Sequence, residues 1–303
     1  VIISGLALPT HFTYGPDQAL FITELNGGEN DATGRLLRFD LTQSPPTSTV
    51  ILDKLLKPTG VAFRGDQLYL VSQNRLLVST YQNGAATPPQ PVFSDPLPFN
   101  GRSNGQLLVD SEGMLYFQGS GSERDPRNSG FIYTLKPGEK SPRIYARGFK
   151  NAYAFTLAPN GGVYATEVAD GIIIGVGAYP DELNLVKRGG DYGWPFCYAD
   201  QKENRLAGGN RNICADTDVP LTTFPPGVTP TGLAYFQGQL IVALWNGNPA
   251  RLVSVDPRTG KYKDFSTVTN QPIALLLETA HPTERLLVLD FGIGNVIRIR
   301  STP

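Results

Sequence analysis

The chain has 303 residues, 40% hydrophobic and 17% charged, with 33 Gly, 25 Pro and a formal net charge of -1. That hydrophobic share supplies a core and excludes a disordered chain. The balanced charge, with no basic stripe, excludes a nucleic-acid partner, and no apolar run approaches the roughly 18–20 residues of a membrane-spanning helix.

In chain order, Val1 to Leu8 is apolar but too short for a signal peptide, and it has no basic flank. It reads as a strand that closes against the last structural unit. Phe21-Ile22-Thr23 then follows the turn Gly15-Pro16-Asp17, and Leu68-Tyr69-Leu70-Val71 follows Arg64-Gly65-Asp66. Leu115-Tyr116-Phe117 follows Asp110 to Gly113, and Val163 to Thr166 follows Pro159 to Gly162. Leu240 to Ala243 follows Phe236-Gln237-Gly238, and Leu286 to Leu289 follows His281-Pro282.

These six copies recur at roughly 47 residues, with one longer interval of about 77, the size of a four-stranded propeller blade. Each copy has an apolar strand such as Gly60-Val61-Ala62-Phe63, a Gly/Asp turn, and further β-rich strands such as Leu36 to Phe39 and Arg251 to Val255. Gly, Asp and Asn supply the positive φ that tight hairpin turns need. The pattern predicts an all-β, six-bladed β-propeller forming one domain over residues 1–303. A β-sandwich would not explain the regular period.

The long interval holds both cysteines, Cys197 and Cys214, in an insertion expected between blades four and five. Two Cys without a nearby His do not make a zinc site. They read as a disulfide pinning the insertion, with a pair of reduced buried thiols as the alternative. A disulfide implies an oxidising location: secreted, periplasmic or cell-surface.

From Asp181 to Cys197 the chain reads DELNLVKRGGDYGWPFC. This run resembles the signature of the glucose/sorbosone dehydrogenases. Gly148-Phe149-Lys150-Asn151-Ala152-Tyr153 is similar to the family's Gly-Leu-Arg-Asn-Pro-Tyr/Gln stretch, and Asn104-Gly105-Gln106-Leu107 to its Gly-Gly-Asp-Leu segment. Thr231 to Tyr235, Leu240 to Leu244 and Asp290 to Ile299 extend the likeness over nearly the whole chain.

The resemblance implies a sugar oxidoreductase using pyrroloquinoline quinone (PQQ), held over the channel on the top face with Ca²⁺ at its quinone oxygens. A histidine base near neutral pKa would take the hydroxyl proton as hydride leaves, and cations would steady the reduced quinone. Lys150, Asn151, Arg102 and Trp194 are the expected cofactor contacts. Asp181 and Glu182 are the expected metal ligands, and Asp181 is the substitute base.

The family's histidines fall here on Arg102, on Gly227 or its neighbour, and on Trp245, and Arg cannot serve as a base at neutral pH. The calcium-binding Gly-Pro pair has no match in Glu167 to Gly171, a run that includes Asp170. The chain's two histidines read as structural, His11 within a strand and His281 in an exposed turn. The polar turn Asn26 to Asp31 offers Ca²⁺ ligands without EF-hand spacing.

Three functions therefore stand: a PQQ- and calcium-dependent aldose or sorbosone dehydrogenase, a non-catalytic propeller that binds a glycan or protein partner, and a calcium-dependent lactonase. The last would use Glu24, Asn104, Asn151 and Asp290.

Overall fold

The structure, a computed structural model, describes the chain except residues 170, 174–176, 268, 284 and 301–303. Antiparallel sheets follow one another in sequence as six blades. Blade one runs Pro9–Tyr14, Leu20–Glu24, Gly34–Asp40 and Thr47–Leu55 from the innermost strand outward. Blade two starts with Pro58–Arg64 and splits its outer strand into Ala85–Ala86 and Gln90–Pro91, both paired with Arg75–Gln82. Blade three starts with Leu108–Val109, blade four with Ala152–Leu157, blade five with Pro230–Phe236 and blade six with Pro272–Leu277.

The second strand of each blade is buried on both faces because blades pack on either side of it. Leu20–Glu24, Leu115–Gly119 and Val163–Glu167 are buried throughout, so their opening residues, such as Leu20-Phe21-Ile22 and Leu115-Tyr116-Phe117, read as continuous apolar runs rather than alternating ones. Side chains from neighbouring blades fill the space between them. Phe21, Leu36, Val61 and Leu68 do so between blades one and two, and Ala62, Leu107 and Phe117 between two and three.

Blade six has three strands of its own among the described residues. The opening segment adds a fourth row: Ile2 N donates to Val296 O, Val296 N to Ile3 O, and Leu6 N to Gly294 O. Ile3 and Leu6 are buried there. The ring closes as the apolar opening residues led us to expect.

The disulfide is present, with Cα atoms 5.6 Å apart. Its insertion lies inside blade four, between Asp181–Val186 and Thr222–Phe224, rather than after that blade. Thr222–Phe224 is three residues long and largely polar, too short a pattern to mark it as part of the same sheet. A second insertion, carrying the paired Ile172–Ile173 and Gly177–Ala178, separates the second and third strands and also lengthens the interval.

A threonine lock recurs at the top of the ring. Pro9-Thr10, Pro58-Thr59 and Pro230-Thr231 each open an innermost strand, after a residue with positive φ in Leu8, Lys57 and Thr229. Thr10 Oγ1 donates to Pro58 O at 2.6 Å, and Thr231 Oγ1 to Pro272 O at 3.0 Å, so each hydroxyl ties its blade to the next. Blade three interrupts the pattern. Its innermost strand is only Leu108–Val109, and the preceding residues fold over the channel instead. A Cβ on Gly105, at φ 65°, would collide with the Tyr153 carbonyl, so glycine is required where this crossing touches blade four.

Candidate functional site at the channel mouth

The crossing segment divides the channel. Gln106 Nε2 donates to Thr231 O and to Ile273 O, each at 2.9 Å, and so reaches from blade three to blades five and six. Below it lies a cavity of about 310 Å³ lined mostly by apolar groups, including Phe12, Phe63, Phe155 and Leu275. Above it is a mouth of about 120 Å³.

Polar groups around the mouth are mainly donors. Lys57, 5% exposed, sends Nζ to Arg102 O at 3.1 Å and to the Glu29 carboxylate at 2.9 Å. Thr59, Ser103, Tyr153 and Trp245 line the same space, against Leu25, Ile273 and Phe291. Burial and the nearby Glu29 charge raise the Tyr153 hydroxyl pKa, with a hydrogen bond to Ser103 acting against them. Thr59 Oγ1 and Trp245 Nε1 are buried with no hydrogen-bond partner among the described residues. For Thr59 the reason is topological: the lock that Thr10 and Thr231 make with the next blade has no equivalent where blade three is irregular.

Arg102 lies on this mouth, exposed, with its backbone N–H donating to Asn100 Oδ1. Lys150, Asn151 and Trp194 gather in a separate cluster on blades three and four. Lys150 Nζ stands 2.9 Å from Glu123 Oε1 and 5.1 Å from the centre of the Trp194 ring. Asn151 Oδ1 accepts from Gln118 Nε2. Trp194 lies flat against Gly121 and Gly130, where a Cβ would run into its ring. It is therefore packed into the scaffold.

Asp181 and Glu182 are adjacent on a strand and point to opposite faces. Asp181 accepts from Ala169 N and Thr229 N, both at 2.8 Å, and burial pushes its pKa up to about 6 against those bonds. Thr229 O in turn accepts from Trp245 N at 3.0 Å, so Asp181 holds the backbone that carries Trp245 to the mouth. Glu182 accepts from Ala199 N at 2.7 Å, and burial also raises its pKa. With Glu167, it borders an enclosed space of about 30 Å³ beside the insertion. The two carboxylates do not converge on one ion.

The set suggested for a lactonase is likewise engaged in the frame. Glu24 is paired with Arg35 and accepts from Ala7 N. Asp290 accepts from Asn270, Gln271, Gly292 and Ile293 amides, and Asn104 Oδ1 accepts from Ser120. Acids at the ends of second strands thus satisfy the N–H groups of blade connections.

His11 is buried within an innermost strand, where its Nδ1 accepts from Val61 N at 3.0 Å, and burial lowers its pKa to about 3. His281 is half-buried in its turn rather than exposed. Asp170, from the run expected to replace the calcium carbonyls, lies outside the described residues.

The site fits part of the group that the resemblance implies. Lys57 and Arg102 suit a carboxylate. For the calcium half, no cluster of three His, Cys, Asp or Glu side chains that could hold an ion occurs among the described residues. Pockets that enclose drug-sized molecules span roughly 300–1,000 Å³, and the mouth is about 120 Å³. The mouth is therefore too small to enclose a tricyclic tricarboxylate.

Sequence reasoning missed Lys57, Thr59 and the role of Glu29. The repeated Pro-Thr pair was the signal that placed Thr59 at the mouth, and Lys57 stands immediately before it.

Residues 102–250 match the family model described as Glucose / Sorbosone dehydrogenase. No curated protein matches the chain. Among solved structures, the PQQ-bound aldose sugar dehydrogenase of Streptomyces coelicolor has 17% identity and a TM-score of 0.75, covering 99% of this chain and 96% of that one. A putative oxidoreductase (glucose dehydrogenase) of Thermus thermophilus has 19% identity and a TM-score of 0.76, covering 98% and 97%. The calcium structure of a Trichoderma reesei family AA12 carbohydrate-active enzyme has 16% identity and a TM-score of 0.79, covering 99% and 95%. At these identities the likeness establishes the fold.

Proposed function

Since residues 102–250 of the chain belong to the Glucose / Sorbosone dehydrogenase family, we propose that it is a sugar dehydrogenase-like propeller that binds a sugar-sized polar ligand at its channel mouth without oxidising it. One observation carries this reading. Where sugar oxidation needs a proton acceptor, the mouth is lined by the cationic residues Arg102 and Lys57 and by Trp245 with its orphaned N–H. Oxidation at a carbinol carbon requires the hydroxyl proton to leave with the hydride, and a group that is already a full cation cannot take it. The Glu29 carboxylate is 67% exposed and held by Lys57.

The same donors suit binding. Ligand hydroxyl or carboxylate oxygens would satisfy Thr59 Oγ1 and Trp245 Nε1, which otherwise remain unpaired at a cost of about 1–3 kcal/mol each. Trp245 and Phe291, with ring centres 6.0 Å apart, offer an aromatic wall to the carbon face of a sugar. Asp181 acts as a positioning residue through Thr229. The disulfide supports an exported protein in an oxidising compartment, and no described helix is long and apolar enough to cross a membrane.

The test mixes purified protein with PQQ, Ca²⁺ and a panel of aldoses, following dye reduction and, separately, heat of sugar binding. Saturable binding without turnover is expected. Aldose-dependent dye reduction that requires PQQ would overturn the proposal and identify the chain as a working dehydrogenase.

A further inference from the structure

Two unusual features of the mouth belong together. Lys57 is a cation with almost no exposure, held at φ 46° immediately before Pro58. Such a conformation is sparsely populated for a non-glycine residue and persists only where its surroundings enforce it. Its charge is answered by Glu29, which comes from the polar turn 26–31 and is 67% exposed. A buried cation would normally be matched by a partner fixed in the frame. Here the partner reaches in from a surface turn.

Two other residues that line this space carry a polar atom without an acceptor. Thr59 Oγ1 is buried and unpartnered among the described residues because blade three breaks the threonine lock, and Trp245 Nε1 is unpartnered as well. An indole N–H can only donate, and an ammonium can only donate. The mouth is therefore built for an anion, and the Glu29 carboxylate meets one of its donors while leaving the others unanswered.

We propose that the ligand of the mouth is a sugar acid, a uronate or aldonate, whose carboxylate displaces Glu29 from Lys57. Glu29 acts as a tethered competitor. The ligand's carboxylate takes the ammonium of Lys57 and the N–H of Trp245, its hydroxyls reach Thr59 and Ser103, and its carbon face lies on Trp245 and Phe291. This rests on the binding reading above and names the class of ligand for that same site.

The competitor makes a quantitative demand. Binding is weakened by the fraction of molecules in which Glu29 is in place, so removing its charge must strengthen binding. An ion pair with one exposed partner corresponds to about a fivefold effect at most.

Calorimetric titration of the full chain with D-glucuronate and with D-glucose tests this. Glucuronate should bind about tenfold more tightly than glucose, the margin of a charge-assisted bond over a neutral one. Glu29→Gln, at an exposed position, should tighten glucuronate by about threefold to fivefold and shift glucose by a smaller factor. Thr59→Val should weaken both sugars, and Lys57→Gln should remove the preference for glucuronate. Equal binding of the two sugars, or a Glu29→Gln variant that binds glucuronate no better, overturns the sugar-acid assignment while the mouth remains a sugar site. Saturable binding by neither sugar overturns this inference and the binding reading together.

Discussion

Replacing Gln106 by Leu removes the side chain that partitions the channel while keeping its bulk. Two hydrogen bonds disappear, to Thr231 O and Ile273 O, and both carbonyls belong to buried segments of blades five and six. Each net bond contributes about 0.5–1.5 kcal/mol, and an acceptor left unpaired costs more, so the loss should be about 2–4 kcal/mol. With an unfolding entropy of about 2.1 cal/mol/K per residue, that corresponds to roughly 3–6 °C in melting temperature for a chain of this length. Urea titration followed by tryptophan fluorescence measures the first quantity, and differential scanning fluorimetry the second.

Gln106→Glu sharpens the test. At neutral pH its carboxylate would face two carbonyl oxygens, so the folded state should raise its pKa. The folded form then binds the proton more tightly than the unfolded chain does. The variant must gain stability relative to wild type as pH falls from 7 to 4, when the protonated acid can donate one bond. A Leu variant within about 0.5 kcal/mol of wild type, or a Glu variant with no pH-dependent recovery, would show that the side chain does not brace the channel.

Ile3→Ala should cost about 2–4 kcal/mol because Ile3 is buried against the last blade; urea unfolding within about 1 kcal/mol of wild type would contradict the closure by the opening segment. Replacing Cys197 and Cys214 together by Ser should cost about 3 kcal/mol, the loop-closure contribution for a separation of this size, read from urea midpoints against the oxidised parent. Asp181 and Glu182 have pKa values raised by burial, Asp181 to about 6 from 3.8. Because the folded form holds those protons more tightly, their contribution is largest at low pH and is lost as pH rises through the folded values. The wild type should therefore gain about 2–4 kcal/mol from these groups between pH 8 and pH 5, at up to about 1.4 kcal/mol per group per pH unit. Asp181→Asn should flatten that slope in parallel urea titrations, and an unchanged slope would remove Asp181 from the account.

The second strands were the most legible part of the fold. Leu68-Tyr69-Leu70-Val71 and Leu286 to Leu289 are buried on both faces, so burial wrote itself into the sequence as continuous apolar runs. Outer strands were far less visible, because Thr47–Leu55 is mostly exposed and carries little pattern. The innermost strand of blade three could not be read at all: two residues carry no periodicity, and the segment before it follows the channel rather than the sheet.

The resemblance pointed to Arg102, which lies at the mouth, and to Lys150, Asn151 and Trp194, which gather in a separate cluster on blades three and four. The resemblance made Asp181 and Glu182 expected metal ligands, because they match a carboxylate pair of the family, yet strand alternation sends adjacent side chains apart. Lys57 and Glu29 meet through folding alone, from a strand boundary and a surface turn, and no spacing rule links them. Comparing Thr229-Pro230-Thr231 with Lys57-Pro58-Thr59 would have placed Lys57 beside the channel.

The pairing of Ile3 with Val296 also orders the events of folding. These residues stand near opposite ends of the sequence, so their contact carries a large loop-closure entropy and forms after the local hairpins of each blade. During synthesis the segment with Ile3 and Leu6 emerges before its partner strand and must wait for that strand to be made. Until then Ile3 and Leu6, together with the apolar side of blade one that meets blade six, remain uncovered. A nascent chain in this state is sticky, and it is the stage at which a chaperone or a neighbouring nascent chain would find an unpaired strand edge to hold. Blade six, made after Ile3 and Leu6, is thus the one that releases them from that exposure.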